Sequence, residues 1–301
     1  MIFMFDLRDA AFDEIVSIAK KNKKVIFLCN DMDVFSLIEF KKNYPERVIN
    51  VGVAEQNLIN MSAGLASKGY IPVLYGILPF IIFRCFEQIK FNLDSMMLKA
   101  LIIGIGTGHS FSWDGPTHYG VNDIGLINNL SNTNISNPID RKTTLASLNK
   151  FFNAKNKKSL FLRIEKQKFP DLKFYGSLKN GFRFICINKN SKKLIISSGY
   201  MCHKILALSQ FSNNVDIIDI FNLNHFNGKE FVKVINKYNN ISIVDENYQG
   251  SSILDLIYKY LLTKKITNFI PKNNQDLFYG DRDTSLKKFK LLKTNIEDYF
   301  R

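Results

Sequence analysis

Two polar segments of this 301-residue sequence carry residue types that could do chemistry. Glu55 is the single carboxylate in the stretch 50–64, where an apolar approach meets a helical run rich in small residues. The helix dipole favours an acid in the first turn, and the small residues indicate close packing against another surface. The second segment, 114–119, places an Asp and a His in a loop, because Gly115 and Pro116 cannot continue a helix or a central strand.

Each segment also has a purely structural explanation. Glu55 could be an ordinary first-turn acid, and the loop could be an Asp-Gly-Pro turn with a helix-capping Thr. A loop at the carboxyl edge of a parallel sheet is nevertheless a typical place for ligand contacts. The elements that position the two segments therefore matter for choosing between these explanations.

Strand and helix patterns alternate along the first half of the chain. Short β-branched and aromatic runs predict strands at 24–29, 48–53, 71–75, 100–105, 133–135 and 159–164. Apolar residues at helical spacing predict helices at 6–20, 35–40, 55–69, 83–93, 121–131 and 146–152. This alternation predicts a mostly parallel sheet covered by helices on both faces. Asp31, which follows the first strand, is expected at the ligand-binding edge.

A second α/β unit is predicted after a loop-rich boundary. Residues 170–190 lack strong helical periodicity, and strand patterns recur at 193–198, 215–220 and 241–245. The predicted organisation is a first domain over 1–172, a linker over 173–190 and a smaller domain over 191–301. The predicted fold class is therefore two three-layer α/β domains. The second shows no catalytic constellation and is expected to serve packing or dimerisation.

Composition argues against several classes of protein. The formal charge is +14, but the Lys residues are spread along the chain without a clustered aromatic platform, so nucleic-acid binding is not expected. The longest apolar run, 70–83, contains two Pro and is shorter than the ~20 residues of a membrane span. The four Cys form no C-x-x-C pair, and Cys202-His203 has no partner at metal spacing, so no metal site is expected. A reducing, cytoplasmic location is the natural expectation.

The glycine-rich segment 104–108 is similar to a dinucleotide-binding fingerprint but does not satisfy it. The third glycine would have to stand at position 109, which is His, and the residues that follow do not open a helix. Residues 100–104 are more simply interpreted as a strand that ends in a flexible glycine loop.

The order of these features resembles the carboxyl-terminal two-thirds of the transketolase family, which comprises the pyrimidine-binding domain of a thiamine diphosphate enzyme and a small C-terminal domain. The resemblance covers nearly the whole chain. The matching motifs are Leu7-Arg8-Asp9-Ala10, Cys29-Asn30-Asp31, 45–57 around Glu55, 84–90, Asp114-Gly115-Pro116-Thr117-His118, Asn137-Pro138-Ile139-Asp140 and Ser198-Gly199. The specific signal is the Glu55 motif combined with the 114–118 loop, because each motif alone would be weak.

The resemblance implies a role for Glu55 at the cofactor. There it would hydrogen-bond N1′ of the aminopyrimidine and favour the imino tautomer that deprotonates the thiazolium C2. The other residues that the resemblance places at the cofactor are Asp31, Leu78, Ile81 and Arg84. Leu78 and Ile81 stand where the family commonly stacks aromatic residues on the pyrimidine. Phe80 or Phe83 could compensate for that replacement.

Substrate contacts are implied for polar side chains in several motifs. They are Arg8, Ser36, His109, Asp114, His118 and Lys166. Asp114 and His118 would orient substrate hydroxyls, and His118 would assist proton transfer as a second catalytic residue. Two contacts depart from the family pattern. His109 lies near Gly106, which stands where transketolases have a substrate-facing His, and Lys166 replaces a phosphate-gripping Arg, which keeps the charge but loses the bidentate geometry.

The resemblance also implies a partner chain. In full-length family members a preceding domain carries the ligands for the divalent metal that holds the cofactor diphosphate, and this sequence shows no such segment. A second, N-terminal transketolase-like polypeptide is therefore expected to bind Mg²⁺ or a similar ion. The two polypeptides would share thiamine diphosphate in an α2β2 assembly.

Three functions remain open on this basis. The first is the C-terminal subunit of a split transketolase, which transfers a two-carbon ketol unit between sugar or sugar-phosphate donors and acceptors. The second is a subunit of a deoxyxylulose-phosphate-synthase-like or 2-oxoacid-decarboxylating enzyme, which would share Glu55 and the cofactor. The third is a non-catalytic partner that kept the fold and lost the chemistry.

Overall fold

The computed structural model describes residues 3–188, 191–209, 214–272, 279–288 and 291. The strands are β1 (Met4–Asp6), β2 (Val25–Cys29), β3 (Val48–Asn50), β4 (Ile71–Ile77), β5 (Leu101–Ile105), β6 (Thr133–Ser136), β7 (Ser159–Ile164), β8 (Lys168–Pro170), β9 (Phe182–Cys186), β10 (Lys193–Ser197), β11 (Val215–Ile220), β12 (Asn240–Val244) and β13 (Lys265–Phe269). The helices are α1 (Leu7–Lys21), α2 (Phe35–Asn43), α3 (Glu55–Ser67), α4 (Leu78–Phe83), α5 (Phe86–Gln88), α6 (Asp123–Asn128), α7 (Arg141–Asn153), α8 (Tyr200–Ser209), α9 (Gly228–Ile235), α10 (Ile253–Ile257) and α11 (Arg282–Lys288).

The first domain is built on a six-stranded parallel sheet with the order β3-β2-β4-β5-β7-β6. Helices α1 and α7 pack on one face, and α3 and α4 pack on the other. This arrangement confirms the predicted parallel sheet with two covered faces. Because every strand runs in the same direction, the loops that follow the strands meet at one edge of the sheet.

Strand β2 illustrates why a continuous apolar run forms a central strand. All five of its residues are buried. Val25 and Phe27 join the apolar group around α1, whereas Ile26 and Leu28 join the group around α3. Successive side chains point to opposite faces of a sheet, so a strand that is covered on both faces needs apolar residues at every position.

The second domain contains a five-stranded sheet with the order β13-β12-β10-β11-β9, in which β9 is antiparallel to β11. The prediction of two α/β domains is confirmed. The predicted linker over 173–190 does not agree with the structure, because β9 lies inside it and pairs with the second sheet. A single edge strand that starts after Gly181 has no repeating pattern to reveal it. Residues 189 and 190 lie outside the described part of the chain.

The single helix predicted at 83–93 is replaced by α4, α5 and a π-helical segment, Ile89–Asp94. Helix α4 starts directly after β4, and Pro79 occupies its first turn, where a missing N–H group leaves no hydrogen bond unmade. The helix is interrupted at Arg84 and Cys85, and α5 begins at the next residue. The early start of α4 brings Phe80 and Arg84 to the carboxyl edge of the sheet.

Two motifs from different domains meet at the domain junction. Asn137 Nδ2 donates to Ser198 Oγ at 2.9 Å. Gly199 adopts φ +61, and a Cβ there would lie 2.5 Å from Asn137 Nδ2, so glycine is required for this close approach. The motifs at 137–140 and 198–199 are therefore parts of one interdomain contact.

A buried ion triad also joins the domains. Arg183 on β9 bonds Asp140 at 2.8 Å and Asp219 on β11 at 3.0 Å, and all three side chains are fully buried. Asp140 is also the N-cap of α7 in the first domain. Removing Arg183 would leave two buried carboxylates uncompensated, so this cation ties the second sheet to α7.

His203, which was considered as a metal ligand, lies in an ordinary structural environment. The His203 ring stacks on Phe169 with ring centroids 4.2 Å apart, and its Nε2 lies 2.8 Å from the Ile139 carbonyl oxygen. Within the described ranges, no group of three or more His, Cys, Asp or Glu side chains could hold a metal ion. The helices of the described ranges are all too short or too polar to span a membrane.

Candidate active site

The candidate site lies at the carboxyl edge of the first sheet. The loops after β2, β3, β4, β5 and β7 carry, in turn, Asp31, Glu55, α4, the 106–120 segment and Lys166. Predicted residues that are up to 135 positions apart in the sequence therefore come to one edge because their strands are parallel and adjacent.

Glu55 begins α3 and is 7% exposed. Gly52, with φ +70, turns the chain after β3, and Ala54 is the N-cap without a side-chain hydrogen bond to the helix. The first-turn N–H groups of α3 thus have no capping side chain, and the carboxylate of Glu55 sits where the helix dipole favours negative charge.

Arg84 connects Glu55 to an aromatic side chain. Its Nη1 donates to Glu55 Oε1 at 3.0 Å, and its Cζ lies 3.9 Å from the centre of the Phe80 ring. The side chain of Arg84 is half exposed, whereas that of Glu55 is nearly buried. A flat cation therefore stacks on Phe80 and bonds the carboxylate at the same time.

His118 also contacts the Phe80 ring. The two rings contact edge to face with centroids 4.8 Å apart. The Thr117 hydroxyl lies 3.0 Å from His118 Nδ1, and two consecutive 3-10 turns, Ser112–Asp114 and Pro116–His118, hold the ring at this place. Asp114 is exposed in the first of these turns.

Lys166 completes the set. Its Nζ lies 4.3 Å from the centre of the Phe111 ring, which is 6.2 Å from the His118 ring. We call the contiguous row that results the edge row, and its members are Glu55, Arg84, Phe80, His118, Phe111 and Lys166. It presents a carboxylate, two cations, an imidazole and two aromatic rings, which suits a flat, polar, anionic ligand.

Leu78 and Ile81 occupy a different environment from the one implied for cofactor contacts. Both are 0% exposed and belong to the apolar core under α4. On a helix that starts at Leu78, these positions point into the core, whereas Phe80 points along the edge. On α4, the aromatic ring that contacts Arg84 beside Glu55 is therefore that of Phe80.

Arg8, Ser36 and Asp31 lie apart from the edge row in their contacts. Arg8 Nε bonds Asp9 Oδ1 at 3.2 Å at the start of α1. The Ser36 hydroxyl bonds Asp13 in a groove between α1 and α2. Asp31 adopts φ +60 after β2, where Asn50 Nδ2 donates to its carboxylate at 3.0 Å.

His109 is buried at the domain junction. It is 0% exposed, its Nδ1 lies 3.1 Å from Ser285 Oγ on α11, and its ring packs edge to face on Tyr119. Burial, with Arg282 nearby, lowers the pKa of His109 to about 3. A neutral imidazole in this position holds the second domain against the 106–120 segment.

The edge contains one buried acceptor that sequence reasoning did not single out. Asn30 Oδ1, at the end of β2, is buried and has no donor among the described residues. A Cβ at Gly76 would lie 2.9 Å from this oxygen and 2.5 Å from the Ile81 side chain, so glycine makes room for both. Since β2 lies between β3, which leads to Glu55, and β4, which leads to α4, this acceptor fits a planar heterocycle with N–H donors.

Comparisons with known proteins identify relatives of the chain. The family model of the transketolase pyrimidine-binding domain matches residues 4–171. A 1-deoxy-D-xylulose-5-phosphate synthase from Natranaerobius thermophilus is 26% identical over 290 residues, which are 93% of this chain and 45% of that protein. A 6-deoxy-6-sulfo-D-fructose transketolase subunit SqwH from Clostridium sp. (strain MSTE9) is 30% identical over 135 residues, which are 44% of this chain and 42% of that protein.

A solved structure is similar over almost its whole length. It is described as a split gene transketolase, inactive beta4 tetramer, and has a TM-score of 0.80 and 20% identity, with 95% of this chain and 93% of that chain covered. At this identity the likeness concerns the fold. The chain spans less than half the length of the curated relatives it matches.

Proposed function

Since this chain belongs to the transketolase pyrimidine-binding domain family, we propose that it is the C-terminal subunit of a two-chain thiamine diphosphate-dependent transketolase. The enzyme would transfer a two-carbon ketol unit between sugar or sugar-phosphate donors and acceptors. The observation that carries the proposal is the buried carboxylate of Glu55 at the start of α3, in one row of contacts with Phe80 and His118.

In this proposal, Glu55 handles a proton at the cofactor. When bound, thiamine diphosphate supplies the electron sink for breaking and making the carbon–carbon bond. Arg84 bonds Glu55 Oε1, so Oε2 is the oxygen that would hold the proton of pyrimidine N1′. Phe80 provides the aromatic wall beside the carboxylate, and the buried Asn30 Oδ1 can accept from the amino group of the pyrimidine.

The remaining members of the edge row would handle the substrate. Asp114 and His118 would orient substrate hydroxyls, and the imidazole of His118 would assist proton transfer. Lys166 would attract an anionic substrate group as a point charge. Arg8 is a further candidate for phosphate binding at the same sheet edge. His109 and Ser36 receive structural roles instead, because each is engaged with a neighbouring helix.

A partner chain is part of the proposal. It would carry the diphosphate-binding domain with Mg²⁺ or a similar ion, and two of each chain would form two sites. The SqwH relative, which is named as a transketolase subunit, supports the expectation of a partner subunit. Small residues on the exposed side of α3 leave room for a second surface. At Gly64, for example, an added Cβ would meet nothing within 4 Å.

The test uses Glu55→Gln in the enzyme assembled with a partner that carries the diphosphate motif. We expect turnover to fall by about 10²–10⁴-fold, because the amide cannot exchange a proton with N1′. The matched control is Glu46→Gln, an exposed Glu in the Pro45–Arg47 turn, which should keep wild-type turnover. Turnover of Glu55→Gln at the wild-type rate would refute the mechanism. Tight binding of thiamine diphosphate and Mg²⁺ by the chain alone would refute the shared site.

A second candidate is a deoxyxylulose-phosphate-synthase-like or 2-oxoacid-decarboxylating enzyme subunit. The 1-deoxy-D-xylulose-5-phosphate synthase match along 93% of this chain favours it. The assembled enzyme should be assayed with a ketose donor and, separately, with pyruvate, each with an aldose acceptor. Turnover with pyruvate as the donor, and none with the ketose donor, would select the second candidate. Assembly without turnover of either donor would indicate a non-catalytic partner.

A further inference from the structure

Arg282 of the second domain is buried between two carboxylates at the domain junction. Its Nη1 bonds Glu165 Oε2 at 2.7 Å at the end of β7, and its Nε bonds Glu246 Oε2 at 3.2 Å after β12. Its guanidinium also stacks on Tyr200 at 3.6 Å. All three charged side chains of this Arg282 triad are 4–6% exposed. Burial alone would lower the pKa of Arg282, but the two carboxylates raise it, so the cation is retained.

The triad holds the glycine loop that follows β5. Thr107 Oγ1 donates to Glu165 Oε2 at 2.8 Å, and the Ser110 hydroxyl bonds the other oxygen of Glu165. The backbone N–H of His109 donates to Glu246 Oε2 at 3.3 Å. A Cβ at Gly108, where φ is +55, would lie 2.1 Å from the Glu246 carboxyl carbon. Only glycine can pass this close to the carboxylate.

The held loop leads directly to two parts of the edge row. Residues 111–118 follow it and contain Phe111 and His118, and the second domain contacts this segment again through the Gly280 N–H, which donates to the Ser112 carbonyl at 3.2 Å. Glu165 immediately precedes Lys166, whose backbone N–H donates to Glu165 Oε1 at 2.8 Å. Arg282 therefore supports both the His118 loop and Lys166 through the two carboxylates that it bonds.

We propose that Arg282 is a positioning residue for the substrate side of the site, and that the second domain acts on the reaction through it. The inference rests on the proposed function for the identity of the substrate groups. The Arg183 triad already stabilises the junction between the domains through two buried carboxylates, and these ion pairs do not involve the loop. The Arg282 triad differs in that the bonds of its carboxylates end on loop residues.

The chain contains its own reporter for this role. Trp113 is the single tryptophan, lies in the loop next to Asp114 and is 72% exposed. Its fluorescence anisotropy and acrylamide quenching report local motion of the loop in the free chain, without cofactor, partner or substrate. In Arg282→Met, which keeps the length of the side chain and removes the charge, we expect lower anisotropy and stronger quenching than in the wild-type chain.

The matched control is Arg183→Met, which breaks an equivalent buried triad away from the loop. It should lower the free energy of unfolding while the Trp113 signals stay at their wild-type values. Arg282→Lys, which keeps the charge but loses the fork, should give intermediate signals and serves if Arg282→Met does not fold. Wild-type Trp113 signals in the Arg282 variants, or an equal change in Arg183→Met, would overturn the inference.

Kinetics of the assembled enzyme provide the second readout. Arg282→Met should lower kcat/KM for the substrate by up to about 100-fold, as expected for misplaced contact groups, while the affinity for thiamine diphosphate stays at the wild-type value. Arg282→Lys should recover part of the loss. A fall in cofactor affinity equal to the fall in kcat/KM would contradict a role confined to the substrate side. An inactive wild-type enzyme would refute the proposed function and leave the Trp113 result as an independent measurement.

Discussion

Replacing His109 with Gln should remove an acid-sensitive weakness of the fold. The imidazole is fully buried at the domain junction, and its pKa is lowered by burial and by Arg282 to about 3. In the unfolded chain the same group titrates near its ordinary value of about 6.5. The unfolded state therefore binds a proton between these two values and the folded state does not. The stability contributed by the neutral imidazole is full above about pH 6.5 and is lost as the pH falls towards about 3.

The size of the effect follows from the distance between the two pKa values. pH 5 lies about 1.5 units below the pKa of the imidazole in the unfolded chain. Proton binding therefore stabilises the unfolded chain at pH 5 by about 2 kcal/mol, and the folded protein loses that much stability. Replacing the ring by an amide also changes the free energy of unfolding, but by the same amount at every pH. We therefore compare the pH dependence of the variant with that of the wild type, which also subtracts the other titrating groups.

Urea unfolding at pH 8, 7 and 5 measures the effect. Between pH 7 and 5 the free energy of unfolding of the wild type should fall by about 2 kcal/mol more than that of His109→Gln. Between pH 8 and 7 the two should change nearly in parallel, because partial protonation of the unfolded imidazole at pH 7 changes the stability by only about 0.2 kcal/mol. Equal pH dependence of the two proteins at pH 5 would refute the buried position of His109 and would restore the substrate-facing role implied by the sequence.

Four further changes test the edge and the junction. Ile81→Ala should lower the free energy of unfolding by about 2–5 kcal/mol in urea, since the side chain is fully buried; a loss below about 1 kcal/mol would contradict its core position. Phe80→Leu should weaken thiamine diphosphate binding to the assembled enzyme in calorimetry with little effect on stability, and unchanged affinity would exclude Phe80 as the aromatic wall. Arg84→Met should change stability by only about 0–1 kcal/mol, because the cation is half exposed, but should lower turnover of the assembled enzyme, because Glu55 loses its hydrogen-bond partner; wild-type turnover would count against their pairing. Arg183→Met should cost about 3–5 kcal/mol by leaving the buried carboxylates of Asp140 and Asp219 without their cation, and a near-neutral result would show that the triad is not intact in solution.

The architecture was largely predictable because it depends on local patterns. Alternating strand and helix periods predict a parallel sheet, and a parallel sheet brings the ends of its strands to one edge whatever the details of packing. The prediction of the linker and of the 83–93 helix was less successful. An antiparallel edge strand such as β9 is selected by pairing with β11, and the break at Arg84 reflects how α4 packs after β4, so neither leaves a periodic pattern in the sequence.

The sequence by itself determined that a carboxylate, Glu55, would start a helix at the carboxyl edge of the sheet, and that an Asp-Gly-Pro-Thr-His loop would lie at the same edge. Only the tertiary structure decided which neighbours complete the row. Helix α4 turns Leu78 and Ile81 into the core and leaves Phe80 beside Arg84, because its start sets the direction of each side chain. Contacts such as that between Arg282 and Glu165, 117 residues apart, depend on how two finished domains pack, which local sequence does not encode.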